Sequence, residues 1–158
     1  MSVQPVPEGY HTLIPYLAVD DAANAIEYYK KAFGAKERAR MDGPDGKIGH
    51  AELEIGDSMI MLADEFPDMG ATKSPKTVGG TPVTIMVYVE DVDAVYQKAL
   101  DNGASAINKV EDQFYGDRSG MVACPFGYRW FLAVPKEVVS PQEMQKRWNK
   151  MLEGGKVE

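Results

Sequence analysis

The chain has 158 residues, 44% of them apolar, and a formal net charge of −7. That length fits one ordinary domain, and the apolar content excludes a disordered chain. A negative balance with no basic stripe argues against a nucleic-acid or anionic-membrane partner.

No stretch reaches the roughly 18 consecutive apolar residues of a membrane helix. The opening MSVQPVPEGYH has no basic n-region and no apolar h-region, so we expect a short arm there and not a signal peptide. The single cysteine, Cys124, excludes an internal disulfide and fits a reducing cytosol, and we expect a cytoplasmic protein.

Leu13, Leu17 and Val19 alternate with other residues and predict a first strand that also carries Ile14 and Tyr16. From Val19, VDDAANAIEYYKKAFGA predicts a helix. Asp20 or Asp21 can cap its start, Ala22, Ala25, Ile26, Tyr29 and Phe33 recur at helical steps, and Gly34 suits its end. Asp45-Gly46 and Gly56-Asp57 are hairpin signals around a strand in which Ala51, Leu53 and Ile55 alternate with His50, Glu52 and Glu54. A loop is expected from Glu65 to Gly80. Then Val83, Ile85, Val87 and Val89 give the clearest period of two.

At Val89, 70 residues after Val19, VEDVDAVYQKALDNGA repeats the helix pattern, with Asp91 as cap and Gly103 near the end. Pro125-Phe126-Gly127 turns the chain into a last strand, Arg129 to Val134. Ser140-Pro141 starts a final helix with Met144, Trp148, Met151 and Leu152 on one face, and GGKVE reads as a frayed tail. The expected fold class is therefore α+β: two βαβββ modules (residues 11–65 and 81–135) joined by a loop (66–80), forming a curved mixed sheet with a cleft, plus a C-terminal helix (140–153). We expect residues 1–158 to make one domain.

Each helix must cover the more apolar face of its strands. The opposite faces then carry Tyr16, His50, Glu52, Met61, Thr84, Met86, Tyr88 and Phe131, apolar walls with a few polar groups, as a ligand cleft requires. A partly wet second core or a dimer interface is the competing reading of the same faces. His50 and Glu52, two apart on one strand face, suit general acid/base work, or they form a polar rim pair. Arg118, in Asp117-Arg118, can bind an anionic group or make a structural salt bridge. Tyr16, Tyr88 and Tyr115 can stack on a ring or simply pack. Cys124 reads as a buried filler, His11 as part of the arm, and Asp64-Glu65 as a displaced metal pair or a solvated turn.

The paired βαβββ units, the Val-x-Asp helix starts, Tyr28-Tyr29 with Phe33-Gly34, and Pro125-Phe126-Gly127-x-x-Trp130 resemble the vicinal-oxygen-chelate superfamily of glyoxalase I, extradiol dioxygenases and fosfomycin- and bleomycin-resistance proteins. Gly49-His50-Ala51, Ile60-Met61-Leu62-Ala63-Asp64 and Asp112-Gln113-Phe114-Tyr115-Gly116-Asp117-Arg118 look like its PhnB-like branch. The resemblance covers roughly residues 10 to 135. It implies four metal-ligand positions, which fall on Ile14, Met61, Thr84 and Phe131. None of these is a histidine or carboxylate, so no metal and no other cofactor is expected. Exposed sheet edges, a cleft open on one side and the apolar face of Met144, Trp148 and Met151 predict a homodimer, and the resemblance implies that it binds a small, partly apolar or aromatic molecule. The alternative is a lyase or isomerase of glyoxalase type using His50 and Glu52 or a displaced metal site, and a third reading is a structural homodimer without ligand.

Overall fold

The computed structural model describes residues 2–155. Met1 of the arm and residues 156–158 of the tail, where fraying was expected, lie outside them.

Each module is built from the capping and turn chemistry of its sequence. Strand β1 (Tyr16–Val19) leads into helix α1 (Ala22–Phe33). Asp21 accepts from the Asn24 backbone N–H at 3.1 Å, and Gly34 ends the helix in the left-handed conformation. Strands β2 (Lys36–Asp42), β3 (Ile48–Ile55) and β4 (Ser58–Asp64) complete the first module, with Gly56-Asp57 as the tight turn between β3 and β4. In the second, β5 (Thr84–Tyr88), α3 (Val92–Asp101), β6 (Ser105–Asp112), β7 (Asp117–Ala123) and β8 (Arg129–Pro135) repeat the order. Asp91 caps α3 through the Ala94 N–H at 3.0 Å. The curved surface consists of two four-stranded mixed sheets, ordered β1-β4-β3-β2 and β5-β8-β7-β6. Their registers repeat as well: Tyr16 pairs with Met61, and 70 residues on Met86 pairs with Phe131.

Three expectations change. The first strand starts only at Tyr16, which leaves Leu13 exposed and Ile14 in the arm. Pro15 has no N–H to give a ladder, and only its carbonyl is used, by the Met61 N–H. The stretch from Glu65 to Gly80 is not a plain loop. It holds a 3-10 turn (Pro67–Met69) and the single-turn helix α2 (Pro75–Val78), capped by Ser74. Glu65 organises it by accepting from the Ser74 N–H and from the Thr77 hydroxyl (2.9 Å), and these bonds hold its carboxyl below the usual range. Asp64 is buried and accepts from the backbone N–H groups of Ala22 (2.9 Å) and Ile48 (2.7 Å). Asp64-Glu65 is thus neither a metal pair nor a solvated turn.

The two modules share one core. Along α1, Ala22, Ala25, Ile26, Tyr28, Tyr29 and Ala32 are all buried. The helix packs on β3 and β4 of its own sheet and on α3 of the other module. Its Tyr29 and Phe33 rings stand 5.1 and 4.7 Å from Trp130 on the inner face of the second sheet. Tyr28 Oη donates to the Ala99 carbonyl, and Tyr128 Oη to that of Ala18. Gly127, at φ +89°, lets the turn before β8 touch α2: a Cβ there would lie 2.7 Å from Pro75. The C-terminal helix α4 (Pro141–Glu153) lies on the β6–β7 connection, with Trp148 tilted on Phe114 and Arg147 donating to the Phe114 carbonyl. None of its residues is fully buried.

Because Trp130 belongs to the cores of both modules, Trp130→Ala is expected to destabilise by about 3–5 kcal/mol. Wild type should melt in a single transition by calorimetry, and the variant in a single transition at lower temperature. Two separated transitions would show that the modules are not coupled through this residue.

Candidate functional site

The alternation in β3 buries Ala51 and Leu53 against the helices and turns His50 and Glu52 to the open face of the first sheet. Tyr16 reaches the same face from β1 and Met61 from β4. Three of these side chains, with Tyr10 from the arm, form a continuous hydrogen-bonded chain. Tyr10 Oη donates to Glu52 Oε2. Glu52 Oε1 lies 3.0 Å from His50 Nε2, and His50 Nδ1 lies 2.6 Å from Tyr16 Oη. A carboxylate only accepts, so Nε2 carries the hydrogen. In the neutral ring Nδ1 then accepts from the Tyr16 hydroxyl.

The electrostatics follow from these contacts. The Tyr10 hydroxyl and then His50 hold the Glu52 carboxyl below its ordinary range. The bond to Glu52, more than desolvation, pushes Tyr10 up. Burial and then the Glu52 charge push Tyr16 up, so it stays a phenol. The arrangement can hold a proton, move it between Tyr16 and His50, and present one hydroxyl to a bound molecule.

Beside Tyr16 opens a cavity of about 400 Å³, with Ala18 and Ala63 on its sheet side and Phe66, Met69, Ala71 and Thr72 contributed by the connection after β4. A second cavity of about 380 Å³ lies at the start of α1, between Asp20, Asn24, Glu27, Lys31 and Lys76. It is a charged surface with its own ion pair, Lys76 with Asp20 at 3.2 Å, and it contains none of the expected site residues.

Thr84, Met86, Tyr88 and Phe131 share the open face of the second sheet, with Met86 opposite Phe131. Met86 and Tyr88 are 44% and 63% exposed. Within one chain this group does not join the first. The helices occupy the inner side, both open faces turn away from the shared core, and among the described residues no hydrogen bond, salt bridge or ring contact links one open face to the other. Arg118 is a correction. It belongs to the helix side of β7, with Gly120 and Val122, and its guanidinium is held by Asp93 (2.8 Å to both oxygens) and Asp112 (3.1 Å). It is a structural ion-pair residue. The arm residue Tyr10 and the lining residues Phe66 and Met69 had not been expected. The apolar pair Phe66 and Met69, three apart in the connection, was the available signal.

A divalent cation at Ile14, Met61, Thr84 and Phe131 would find a hydrocarbon, a thioether, one hydroxyl and a phenyl ring. That donor set does not fit the ion. Among the described residues no group of three or more His, Cys, Asp or Glu side chains is arranged to hold a metal. No helix among them is long and apolar enough to cross a membrane.

Comparison with known proteins adds to this geometry. The family described as Glyoxalase/Bleomycin resistance protein/Dioxygenase superfamily matches residues 10–132. An uncharacterized protein of Mycobacterium bovis is 50% identical over 135 residues, spanning 84% of this chain and 89% of the relative. The solved structure of an Arabidopsis thaliana gene product is 27% identical, covers 78% of this chain and 98% of its own, and superposes with a TM-score of 0.64. A Bacillus cereus PhnB protein, described as a putative 3-demethylubiquinone-9 3-methyltransferase, shares the fold at 15% identity, with 78% and 99% coverage and a TM-score of 0.59.

The bonds to Glu52 have a pH signature. A carboxyl held low in the folded state stabilises above its unfolded range, and that contribution is lost as pH falls through the folded value. Melting temperatures followed from about pH 6 down to about pH 3 should fall more steeply for wild type than for Glu52→Gln. Parallel curves would show that the chain does not hold this carboxylate.

Proposed function

Because the chain belongs to the Glyoxalase/Bleomycin resistance protein/Dioxygenase superfamily, we propose that it binds a small, partly apolar or aromatic molecule on the open face of its first sheet, without a metal or other cofactor. The observation that carries this reading is the cavity beside Tyr16, where apolar walls meet the end of a polar chain. Burying a ring between Phe66, Met69 and the sheet is worth a few kcal/mol at about 25 cal/mol per Å² of apolar area. One hydrogen bond at Tyr16 orients the ring. After association costs this allows roughly micromolar binding.

The second open face has a role in the same reading. Thr84, Met86, Tyr88 and Phe131 present apolar surface that its own chain leaves uncovered. We place it against the first open face of a second copy. In a two-fold dimer each copy gives one face of each kind, so two equivalent sites close together. The protein in this reading is a cytoplasmic homodimer, consistent with its lone, buried thiol.

The Tyr16–His50–Glu52 chain also supports a second reading, an isomerase or lyase in which His50, backed by Glu52, moves a proton through Tyr16 to or from a bound substrate. This requires turnover. A bound molecule recovered unchanged from stoichiometric protein leaves binding as the activity and removes this alternative.

A thermal-shift screen of small aromatic acids and amides tests the main reading. At least one compound should raise the melting temperature of wild type, and Ala63→Leu, which fills the cavity floor, should abolish that shift. A hit equally stabilising in both proteins would place binding elsewhere. Light scattering at micromolar concentration should give twice the chain mass, and Tyr88→Arg should give the monomer mass. A monomeric wild type would remove the dimer from the reading.

A further inference from the structure

We propose that Tyr16, and not His50, is the side chain that meets the ligand, and that the ligand's polar end is a carboxylate taken up together with one proton. The inference rests on the binding reading above and names the chemistry of the bound group.

The hydrogen-bond capacity of the chain decides which residue is free. His50 has two ring nitrogens, and both are used, Nε2 by Glu52 at 3.0 Å and Nδ1 by Tyr16 at 2.6 Å. Glu52 is also committed, with Oε1 on His50 and Oε2 on Tyr10, and its side chain is only 16% exposed. Tyr16 is 54% exposed, lines the cavity and has made one of the bonds its hydroxyl can make. A ligand entering the cavity therefore meets the Tyr16 oxygen.

What that oxygen offers depends on the proton inventory behind it. With His50 neutral, Tyr16 gives its hydrogen to Nδ1, and only lone pairs are left for the ligand. A carboxylate would then oppose acceptor to acceptor. With His50 protonated, Nδ1–H donates to Tyr16 Oη, and the phenol hydrogen is released to point into the cavity. Glu52 then neutralises the imidazolium from the far side. Carboxylate, proton and free site combine into one complex: the proton ends on His50 Nδ1, the Tyr16 O–H donates to the carboxylate, and no ligand bond breaks.

Nothing else packed around His50 can supply this change. From β1 comes Tyr16, a phenol that desolvation keeps protonated. Opposite it on β2 stands Met41, and on β4 Met61 lies opposite Glu52 with Ala63 two residues on toward His50, all uncharged. On β3 itself, Glu52 is held as the anion and Glu54 is paired with Arg38. From the arm, Tyr10 is locked on Glu52. Asp64, near the cavity, is taken by two backbone N–H groups. An imidazole is the one side chain of this set that ordinarily changes charge near neutrality.

The test is isothermal titration of the full-length protein with benzoate and with the neutral benzamide, at about pH 8, in phosphate and in Tris, whose ionisation heats differ. Benzoate should bind with net proton uptake, and its affinity should weaken as the pH is raised. Benzamide should show neither effect. Tyr16→Phe should weaken benzoate at least tenfold and flatten its pH profile. His50→Gln, which keeps a side chain that can bridge Tyr16 and Glu52, should remove the proton uptake. Benzoate bound without proton uptake, or benzamide bound with the same uptake, overturns the inference and leaves the binding reading standing. Failure of both probes to bind wild type overturns the inference and the binding reading together.

Discussion

Helix α1 is held between the first sheet and Trp130 of the second, with Tyr29 and Phe33 as the contact. One helical layer thereby serves two sheets, and this arrangement sets everything else. A sheet has two faces, and the shared core takes one of each. The other two are left to solvent, to a ligand or to a second chain. The cross-module bonds Tyr28 to Ala99 and Tyr128 to Ala18, and the ion pair of Lys76 in the connection with Asp20, all lie on the helix side or at the sheet ends, so they reinforce the core without covering an open face. Chemistry specific to this protein can occupy the open faces without disturbing the fold.

Which parts of this were legible in the sequence follows from the range of the forces involved. Alternation is local, and it placed Ala51 and Leu53 inward and His50 and Glu52 outward, as the structure has them. Caps and turns are local too, and Asp21, Asp91, Gly34 and Gly56-Asp57 do what their residue types dictate. For Arg118 the sequence left anion binding and a structural salt bridge both open, because β7 offers no clean alternation to place it, and the salt bridge is what forms. Gly120 occupies an inner position against Tyr96, where a larger side chain would have marked the parity. The Tyr10 bond spans 42 residues and the Phe66–Met69 wall depends on how Glu65 folds its connection, so neither leaves a periodic trace. Local pattern also says which face is open without saying how two modules dock. That is why Tyr16, His50, Glu52 and Met61 on one sheet and Thr84, Met86, Tyr88 and Phe131 on the other were read as one cleft of a single chain.

The polar chain on the first sheet is stable because each member satisfies the next. Glu52, left alone on a half-buried face, would carry an unmet desolvation cost. With Tyr10 and His50 on its two oxygens it remains charged, and its charge in turn fixes which nitrogen of His50 bears the hydrogen. The orientation of the Tyr16 hydroxyl is thus determined two residues away in the chain of bonds, at Glu52. Removing any member changes what Tyr16 presents, without altering the β-ladder that carries it.

The repeat shows where the two halves have parted. Tyr16 opposite Met61 corresponds to Met86 opposite Phe131, and Glu52 opposite Met61 to Met121 opposite Phe131. His50 corresponds to Ser119, which is buried and bonded to Tyr115 at 3.2 Å. The backbone geometry is retained, while the second face has exchanged a titratable chain for methionine and phenylalanine. In the paired arrangement proposed above, a polar face of one copy meets an apolar face of the other. A molecule between them has one favourable orientation, with its charged end at Tyr16 and its apolar body between Phe66 and Met69 of the same copy and the Met86–Phe131 face of the other. Two identical polar faces would bind it in either direction, and two apolar faces would hold it without direction. In that proposed arrangement, the divergence of the two modules is what would give the site its polarity.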